Sequence, residues 1–175
     1  MYVELKTERL LLRPLGRGDL ESTHAYASDG DNARYMLFLP NDTVAETEAF
    51  LQRVSDEWAK EKPVSYEFAV VRDGEHIGAV SVELMEDGIS AEMGWVFRRD
   101  CQKQGYAYEA ALAVRNFAIQ KLGVERVFAQ CDARNLPSQR LMQKLCMRLE
   151  DAQGVRVYPQ TGEEAQELTY AIRVE

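Results

Sequence analysis

The sequence predicts a single α/β domain, 1–175, in which a mixed, twisted sheet of about six to seven strands carries helices on both faces. Apolar residues alternate with a period of two over 89–97, as in a buried strand, and then recur at helical spacing over 105–122. A further strand is predicted at 126–132. Because a crossover helix between two strands of one sheet is right-handed, the flanking strands are expected to run parallel.

The N-terminal part is predicted to begin with one strand at 5–15. Asp19 suits a helix cap, so a short helix is expected to run to about Ser28. Thr43 followed by Glu46 gives the capping-box pattern of a second helix. The inner stripe of that helix is predicted to comprise Val44, Thr47, Phe50, Leu51, Val54 and Trp58.

Three strands are then predicted to form a meander at 66–71, 76–84 and 89–97. The first two are joined at Asp73-Gly74, and Asp87-Gly88 leads into the third. Both dipeptides favour tight hairpin turns, because aspartate and glycine tolerate the positive φ angles that such turns require. The three strands are therefore expected to be antiparallel neighbours.

The C-terminal part is predicted to contain the strand at 126–132, a helix at 135–145 and two closing strands at 147–150 and 167–174. The polar stretch 152–164 is expected to join the two closing strands as a loop. No internal repeat, low-complexity tract or linker interrupts the pattern, which is consistent with one domain.

Composition narrows the classes of function. The net charge of −8 disfavours nucleic acid, whose phosphates an acidic surface repels, and favours cationic partners such as amines, although solubility alone explains such a charge. No apolar run is long enough to span a membrane and no signal-peptide pattern begins the chain, so we expect a cytoplasmic protein without a membrane partner. A homodimer is left open.

The cysteines and histidines favour neither a metal site nor a disulfide framework. Three cysteines, an odd number without paired spacing, occur at Cys101, Cys131 and Cys146. The two histidines, His24 and His76, are far apart in the sequence, which gives poor support to zinc catalysis or a Ser-His-Asp triad. We therefore expect chemistry without a metal.

The segment 102–107 has the features of an anion-binding turn. It follows a predicted strand, contains Gly105 and leads into a helix, whose first backbone N–H groups lack partners and carry the positive end of the helix dipole. Arg98, Arg99 and Lys103 add positive charge beside it. An ordinary strand–turn–helix with a solvated basic loop would show the same local pattern.

Gln102, Gly105 and Ala107 match the pattern Gln/Arg-x-x-Gly-x-Gly/Ala, which resembles the acyl-CoA signature of the GNAT N-acetyltransferases. The flanking segments 91–95 and 135–138 resemble features of the branch that includes the ribosomal-protein N-terminal acetyltransferases. The opening Thr-Glu-Arg-Leu-Leu-Leu-Arg-Pro of 7–14 resembles the start of that branch. The order of predicted elements is also that of the GNAT fold, so the resemblance covers nearly the whole chain.

The resemblance implies a GNAT-like sheet that is splayed between the strand at 89–97 and the strand at 126–132, with Gly94 as a plausible site of the break. It also implies acetyl-CoA as co-substrate and transfer of the acetyl group to a primary amine by direct attack in a ternary complex. The residues that it implies for cofactor binding are Trp95, Val96, Phe97, Arg98, Gln102, Lys103, Gln104, Gly105, Tyr106, Ala107, Asn135 and Ser138.

Two residues are candidates for catalysis. Glu92 is the first candidate for the base that removes a proton from the amine, with Glu83 and Glu67 as alternatives. Without a catalytic role, Glu92 would be an ordinary solvated strand residue or would form an ion pair with an arginine. The resemblance places Ser138 near the sulfur as a proton donor to the leaving thiolate, whereas helix capping is its ordinary role. Many relatives carry a tyrosine where Met142 stands here.

One residue departs from the family pattern in a way that bears on the local packing near the acetyl end of the site. Cys146 stands where the family usually has a glycine after the fourth helix, and a left-handed cap there would strain a cysteine. The missing tyrosine and this change favour an alternative, a non-catalytic acyl-CoA-binding sensor or partner-binding module. A purely structural α/β domain is a third interpretation. The acceptor stays open among a protein N-terminus, a polyamine, an amino acid and an aminoglycoside.

Overall fold

A computed structural model describes residues 2–174 of the chain. The described strands are β1 (Leu5–Lys6), β2 (Leu11–Pro14), β3 (Ser65–Arg72), β4 (Glu75–Leu84), β5 (Ser90–Phe97), β6 (Arg126–Asp132), β7 (Arg148–Val157) and β8 (Glu164–Arg173). The α-helices are α1 (Leu20–Ala27), α2 (Val44–Trp58), α3 (Tyr106–Phe117) and α4 (Leu136–Lys144). Short 3-10 turns occupy Arg17–Asp19 and Arg99–Cys101, and a π-helical turn over Ala118–Leu122 extends α3.

The described strands form one open sheet in the order β1-β2-β3-β4-β5-β6-β8-β7. The pair β5–β6 is parallel, as predicted for strands joined by the crossover helix α3, and the other pairs are antiparallel. The predicted α/β fold with a mixed sheet is confirmed. The sheet has eight described strands, one more than the upper predicted number.

Each face of the sheet is covered by one pair of helices. Opposite residues in neighbouring strands share a face, so Glu67, Ser81 and Gly94 lie in one row on the face that α1 and α2 cover. On the opposite face the ring of Phe117 in α3 packs edge-on against Tyr66 and Phe68, with ring centroids 5.4 Å and 5.6 Å apart. The core therefore includes the contact between this face and α3, and Trp58 of α2 packs against the same two rings.

The strand predicted at 5–15 is wrong as one element, because the chain turns back on itself in the middle. The backbone N–H of Thr7 donates to the carbonyl oxygen of Leu10 over 3.0 Å, and the Thr7 hydroxyl accepts from the Leu10 N–H over 3.0 Å. This turn separates β1 from β2, which then pair with each other. A threonine side chain that replaces ladder partners in this way favours a turn over a continuous strand.

The loop predicted at 152–164 is also wrong in its extent. Strand β7 continues to Val157 and β8 begins at Glu164, so the turn between them is short. Strand β7 lies at the edge of the sheet and most of its residues are exposed, which explains why its sequence is polar and resembles a loop.

The two predicted N-terminal helix caps have different outcomes. Thr43 caps α2 as predicted: its hydroxyl accepts from the N–H of Glu46, whose carboxylate accepts from the Thr43 N–H. Asp19 precedes α1, but its carboxylate binds elsewhere, accepting from the guanidinium of Arg13 over 2.7 Å and from the N–H of Gly16 over 3.0 Å. In the described part of the chain, no helix is sufficiently long and apolar to cross a membrane.

Candidate functional site

The parallel strands β5 and β6 separate soon after they begin. They pair at Ser90, Ala91 and Glu92, and the pairing described for β5 ends there on the β6 side, whereas its pairing with β4 continues to Phe97. The Arg98 N–H donates to Ile77 of β4 over 3.0 Å, so by alternation the amide groups of Trp95 and Phe97 point into the gap. The predicted splay is confirmed, and it leaves a free strand edge.

Gly94 follows the point where the pairing with β6 ends, and no bulge is present there. The register between β4 and β5 continues through Gly94 without a shift. A Cβ atom at this position would lie 2.9 Å from the hydroxyl oxygen of Ser81, so a larger residue would require the Ser81 side chain to move. Glycine therefore serves the close approach of β4 and β5 and keeps the sheet surface open above it.

The segment between β5 and α3 forms a tight turn held by its own side chains. Lys103 and Gly105 both have left-handed backbones, with φ angles of 61° and 86°. The Gln102 amide donates to the Asn32 side chain over 2.9 Å and to the Phe97 carbonyl oxygen over 3.0 Å. The Gln104 amide donates to the carbonyl oxygen of Asp100 over 2.9 Å. The turn thus presents the N-terminus of α3 beside the free edge of β5.

A cleft of about 560 Å³, here called the α4 cleft, lies between this turn, the free edge of β5 and α4. It brings together most of the predicted cofactor-binding residues. The predicted residues that line it are Trp95, Val96, Phe97, Gln102, Lys103, Gly105, Ala107, Asn135 and Ser138.

Three predicted cofactor-binding residues are not part of its lining. The Arg98 guanidinium pairs with Glu75 and Asp100 instead. The Gln104 side chain is used within the turn. The Tyr106 ring is buried beside the guanidinium groups of Arg9 and Arg72. For these three, a role in cofactor binding would have to come from the backbone.

Two basic residues of the cleft were not singled out from the sequence. Arg140 and Lys144 line it from α4, four residues apart and therefore on one face of the helix. Together with Lys103 they have no ion-pair partner among residues 2–174, whereas Arg99 pairs with Asp29 over 2.7 Å. Their spacing of four residues within the predicted helix was the feature of the sequence that could have indicated them. The cleft is thus locally basic in an acidic protein.

Asn135 and Ser138 meet at the first turn of α4, where each has a distinct role. The Asn135 side chain caps the helix by accepting from the Ser138 N–H over 3.3 Å. The Ser138 hydroxyl does not cap; its oxygen accepts from the indole N–H of Trp95 over 3.3 Å. Ser138 is therefore free of the capping role that its sequence position had suggested.

A second cavity of about 450 Å³, here called the α2 cavity, lies between α1, α2 and the sheet. Apolar side chains and the backbone of β5 form most of its wall, and Glu67 lies on its sheet side. Trp95, Val96 and Met36 line both this cavity and the α4 cleft. Its other lining residues include Thr23, Tyr26, Phe38, Leu39, Asn41, Glu46, Phe50, Arg53 and Ser81.

The three candidate carboxylates occupy one face of the sheet but different environments. Burial, with a contribution from Glu83, raises the pKa of Glu67 to about 7. Burial, with contributions from Glu83 and Glu167, raises the pKa of Glu92, and Arg156 opposes this shift. Glu67 lines the α2 cavity, whereas Glu92 and the exposed Glu83 line neither cavity.

Cys146 adopts the left-handed conformation that glycine usually supplies, with a φ angle of 62°. Its N–H donates to Gln143 and the Met147 N–H donates to Met142, both over 3.0 Å, which are the two bonds of a Schellman cap. The end of α4 therefore has the usual left-handed cap, although a cysteine occupies the position where glycine is common. Met142 is fully buried and brings no polar group to the cleft.

The residues and geometry described above agree with comparisons to known proteins. Residues 9–148 match the acetyltransferase (GNAT) domain. The chain is 30% identical over 151 residues to the uncharacterized N-acetyltransferase YnaD of Bacillus subtilis (strain 168), a match that covers 85% of this chain and 84% of that protein.

The chain belongs to the GNAT acetyltransferase family. A GNAT-family acetyltransferase from Bacillus anthracis superposes with a TM-score of 0.84 at 31% identity, over 98% of each chain. RimL, a ribosomal L7/L12 alpha-N-protein acetyltransferase in complex with coenzyme A, superposes with a TM-score of 0.85 at 16% identity over 98% of each chain. The second likeness concerns the fold alone.

The GNAT assignment makes the protein an acetyltransferase and confirms the family and enzyme class expected from its sequence. Among residues 2–174, no cluster of three or more histidine, cysteine, aspartate or glutamate side chains could hold a metal ion.

Proposed function

We propose that the protein is an acetyl-CoA-dependent N-acetyltransferase that moves the acetyl group from the CoA thioester to a primary amine by direct attack in a ternary complex. The observation that carries this proposal is that the α4 cleft and the α2 cavity meet at Trp95 and Val96. Two substrates that enter from these two sides would bring a thioester and an amine together at the free edge of β5.

The α4 cleft fits the CoA moiety of acetyl-CoA. The left-handed Gly105 lets the backbone approach a diphosphate at the N-terminus of α3, where the helix dipole favours negative charge. Lys103, Arg140 and Lys144, which have no ion-pair partner in the described chain, would face the phosphate groups. The coenzyme A complex of RimL, which shares the fold, supports this choice of co-substrate.

The free edge of β5 would bind the pantetheine arm. Its amides could pair with the Trp95 and Phe97 backbone, as an added strand would. An N–H from the same edge would donate to the thioester oxygen, where negative charge develops during attack.

Glu67 is the residue we assign as base, ahead of Glu92. A carboxyl with a pKa of about 7 is partly ionised at neutral pH and can accept a proton from an ammonium group, directly or through water. Glu67 lines the cavity proposed for the amine, whereas Glu92 does not. Once Glu67 has taken one proton from the ammonium group, the amine nitrogen forms a bond to the carbonyl carbon and the carbon–sulfur bond breaks. The second proton that the nitrogen loses passes, by way of a hydroxyl or a water molecule, to the leaving thiolate.

Ser138 is proposed as the donor to the leaving thiolate. Because its oxygen accepts the Trp95 indole N–H, its own hydroxyl proton is free to point toward the sulfur. A thiolate is a good leaving group, so a hydroxyl or a water molecule is a sufficient donor. A tyrosine at the position of Met142 is not required in this scheme.

The α2 cavity suits a primary amine attached to an apolar body. Its wall is mainly apolar and aromatic, and Glu67 is placed for the amino group. Both a small-molecule amine and a protein N-terminus with an apolar first residue satisfy this description. The volume of about 450 Å³ limits the part of the acceptor that enters.

Thiol release from acetyl-CoA, measured across a panel of amines and peptide N-termini, tests the proposal. We expect release that depends on an amine and falls strongly in Glu67→Gln. The control is Glu92→Gln, a similar change on the same sheet face outside the α2 cavity. CoA binding without release by any amine would favour the alternative, a non-catalytic acyl-CoA sensor.

A further inference from the structure

The N-terminal segment contacts the first turn of α3 through one carboxylate. Glu109 accepts from the Thr7 hydroxyl over 2.6 Å, from the Arg9 N–H over 2.8 Å and from the Arg9 side-chain Nε over 2.7 Å. Burial would raise the pKa of Glu109, but the hydrogen bonds from Thr7 and Arg9 outweigh this and lower it. Residues about 100 positions apart in sequence are thus tied at the start of α3.

Arg9 also reaches the turn that precedes α3. Its Nη1 donates to the carbonyl oxygen of Gln104 over 3.1 Å. Its Nη2 lies 3.2 Å from the place where a Cβ atom of residue 105 would be. The guanidinium thus packs against the peptide that joins Gln104 to Gly105, while its centre lies 4.6 Å from the Tyr106 ring centroid.

Arg9 does not itself line the α4 cleft. It binds the carbonyl oxygen of Gln104, which does not line the cleft either, whereas the neighbouring Lys103 and Gly105 do. A left-handed Gly105 is conformationally permissive, so the orientation of the backbone N–H groups around it depends on what holds the neighbouring peptides. The bond from Arg9 holds the Gln104 carbonyl next to Gly105, while the bond from Gln102 to Asn32 anchors the start of the turn.

We propose that Arg9, held by Glu109, is a positioning residue that keeps the 102–105 turn in its anion-binding shape and thereby sets the affinity for the diphosphate part of CoA. The inference rests on the proposed function, because it takes this turn as the diphosphate clamp. It assigns a role to the Thr-x-Arg of the N-terminal segment, 7–9, that acts through the turn and not by contact with the substrate.

Arg72 provides a matched control. Its guanidinium lies 5.0 Å from the centroid of the same Tyr106 ring, and its side chain is as exposed as that of Arg9, at 43%. It pairs with Asp73 and makes no described hydrogen bond to the turn. Arg9→Gln and Arg72→Gln therefore each remove one positive charge beside the Tyr106 ring. Only Arg9→Gln also removes the hydrogen bond to the Gln104 carbonyl oxygen.

The test compares dissociation constants for CoA and for pantetheine, which lacks the diphosphate and the nucleotide, by calorimetry on the whole chain. We expect Arg9→Gln to weaken CoA about tenfold, as for the loss of one charge-assisted hydrogen bond, and to leave pantetheine unchanged. Arg72→Gln is expected to bind both ligands as the wild type does. Arg9→Lys, which keeps the charge but cannot make both contacts, should behave like Arg9→Gln.

Two results would overturn the inference in distinguishable ways. If the wild type binds CoA no better than pantetheine, the turn is not a diphosphate clamp, and the proposed use of the α4 cleft fails with it. If the wild type prefers CoA and Arg9→Gln keeps that preference, the turn is the diphosphate clamp but Arg9 does not position it. The same conclusion follows if Arg9→Gln lowers the affinity for CoA and for pantetheine by equal factors. Should Arg9→Gln fail to fold, Glu109→Gln, which leaves the arginine present but loosens it, is measured instead.

Discussion

The indole N–H of Trp95 donates to the hydroxyl oxygen of Ser138 across the gap between β5 and α4, over 3.3 Å. This bond joins the free strand edge to the first turn of α4 at the place where the two cavities meet. It orients a hydroxyl that takes no part in capping its own helix. The role proposed for Ser138 depends on this contact.

Ser138→Ala is expected to lower the turnover number about tenfold or more while the affinity for CoA changes little, because the hydroxyl would act on the leaving thiolate. The stability of α4 should be kept, since Asn135 caps the helix through the Ser138 N–H, which alanine retains. Steady-state kinetics and thermal unfolding check the two parts. A loss of stability with normal turnover would leave Ser138 with a structural role only.

Glu67→Gln is expected to change the pH dependence of the rate. In the wild type the rate should rise as pH increases through about 7, since the ionised carboxylate is the form that accepts a proton. The variant should lack this limb near neutrality and recover in part at high pH, where the acceptor amine itself loses its proton. Measurement of kcat/KM as a function of pH for the wild type and the variant checks this expectation.

The control for this profile is Glu92→Gln, because Glu92 also has a raised pKa but lines neither cavity. We expect it to keep the wild-type limb. If instead Glu92→Gln loses the limb and Glu67→Gln keeps it, the base is the residue that the sequence suggested first. The two variants therefore separate the candidates with one assay.

Gly105→Val is expected to weaken CoA binding more than it weakens the fold. A branched side chain opposes the left-handed φ angle of 86° and would meet the Arg9 guanidinium at 3.2 Å, so the turn should change shape. Gly88→Val is the matched control: Gly88 has a φ angle of 73°, open space around it and no place in either cavity. Calorimetry with CoA on the folded variants should show loss of affinity in Gly105→Val alone.

Cys146→Gly should raise the free energy of unfolding by about 1 kcal/mol, because the left-handed backbone costs a residue with a side chain roughly that amount. Cys146→Ala removes the thiol but keeps the strain, so no similar gain is expected. Urea unfolding of the three proteins measures the difference. Equal gains in both variants would mean that the thiol, and not the backbone, is responsible.

The regular parts of the fold could be predicted because local signals agreed there. The meander of β3, β4 and β5 has alternating apolar residues and two Asp-Gly turns, and α3 has a clear helical period. The edge strand β7 was predicted too short, since an exposed edge need not alternate. The turn between β1 and β2 depends on one threonine side chain, which a strand pattern hides.

The CoA-binding turn was predictable from its glycine and its place before a helix, whereas the choice among the carboxylates was not. Glu67, Glu83 and Glu92 share one sheet face, and only the placement of α1 and α2 decides which of them lines a cavity. The loop between these helices is held by long-range contacts, such as the bond from the Arg156 guanidinium to the Tyr35 carbonyl oxygen over 3.0 Å. Sequence periodicity carries no signal for such contacts.

The central claim is that acetyl-CoA and an amine meet at Trp95, between the α4 cleft and the α2 cavity. Initial rates over a grid of both substrate concentrations test it most directly, once an acceptor has been found by thiol release. Direct attack in a ternary complex predicts intersecting double-reciprocal lines and no acetylated protein by mass spectrometry. Parallel lines together with an acetyl-enzyme would contradict it, because that pattern requires a covalent intermediate.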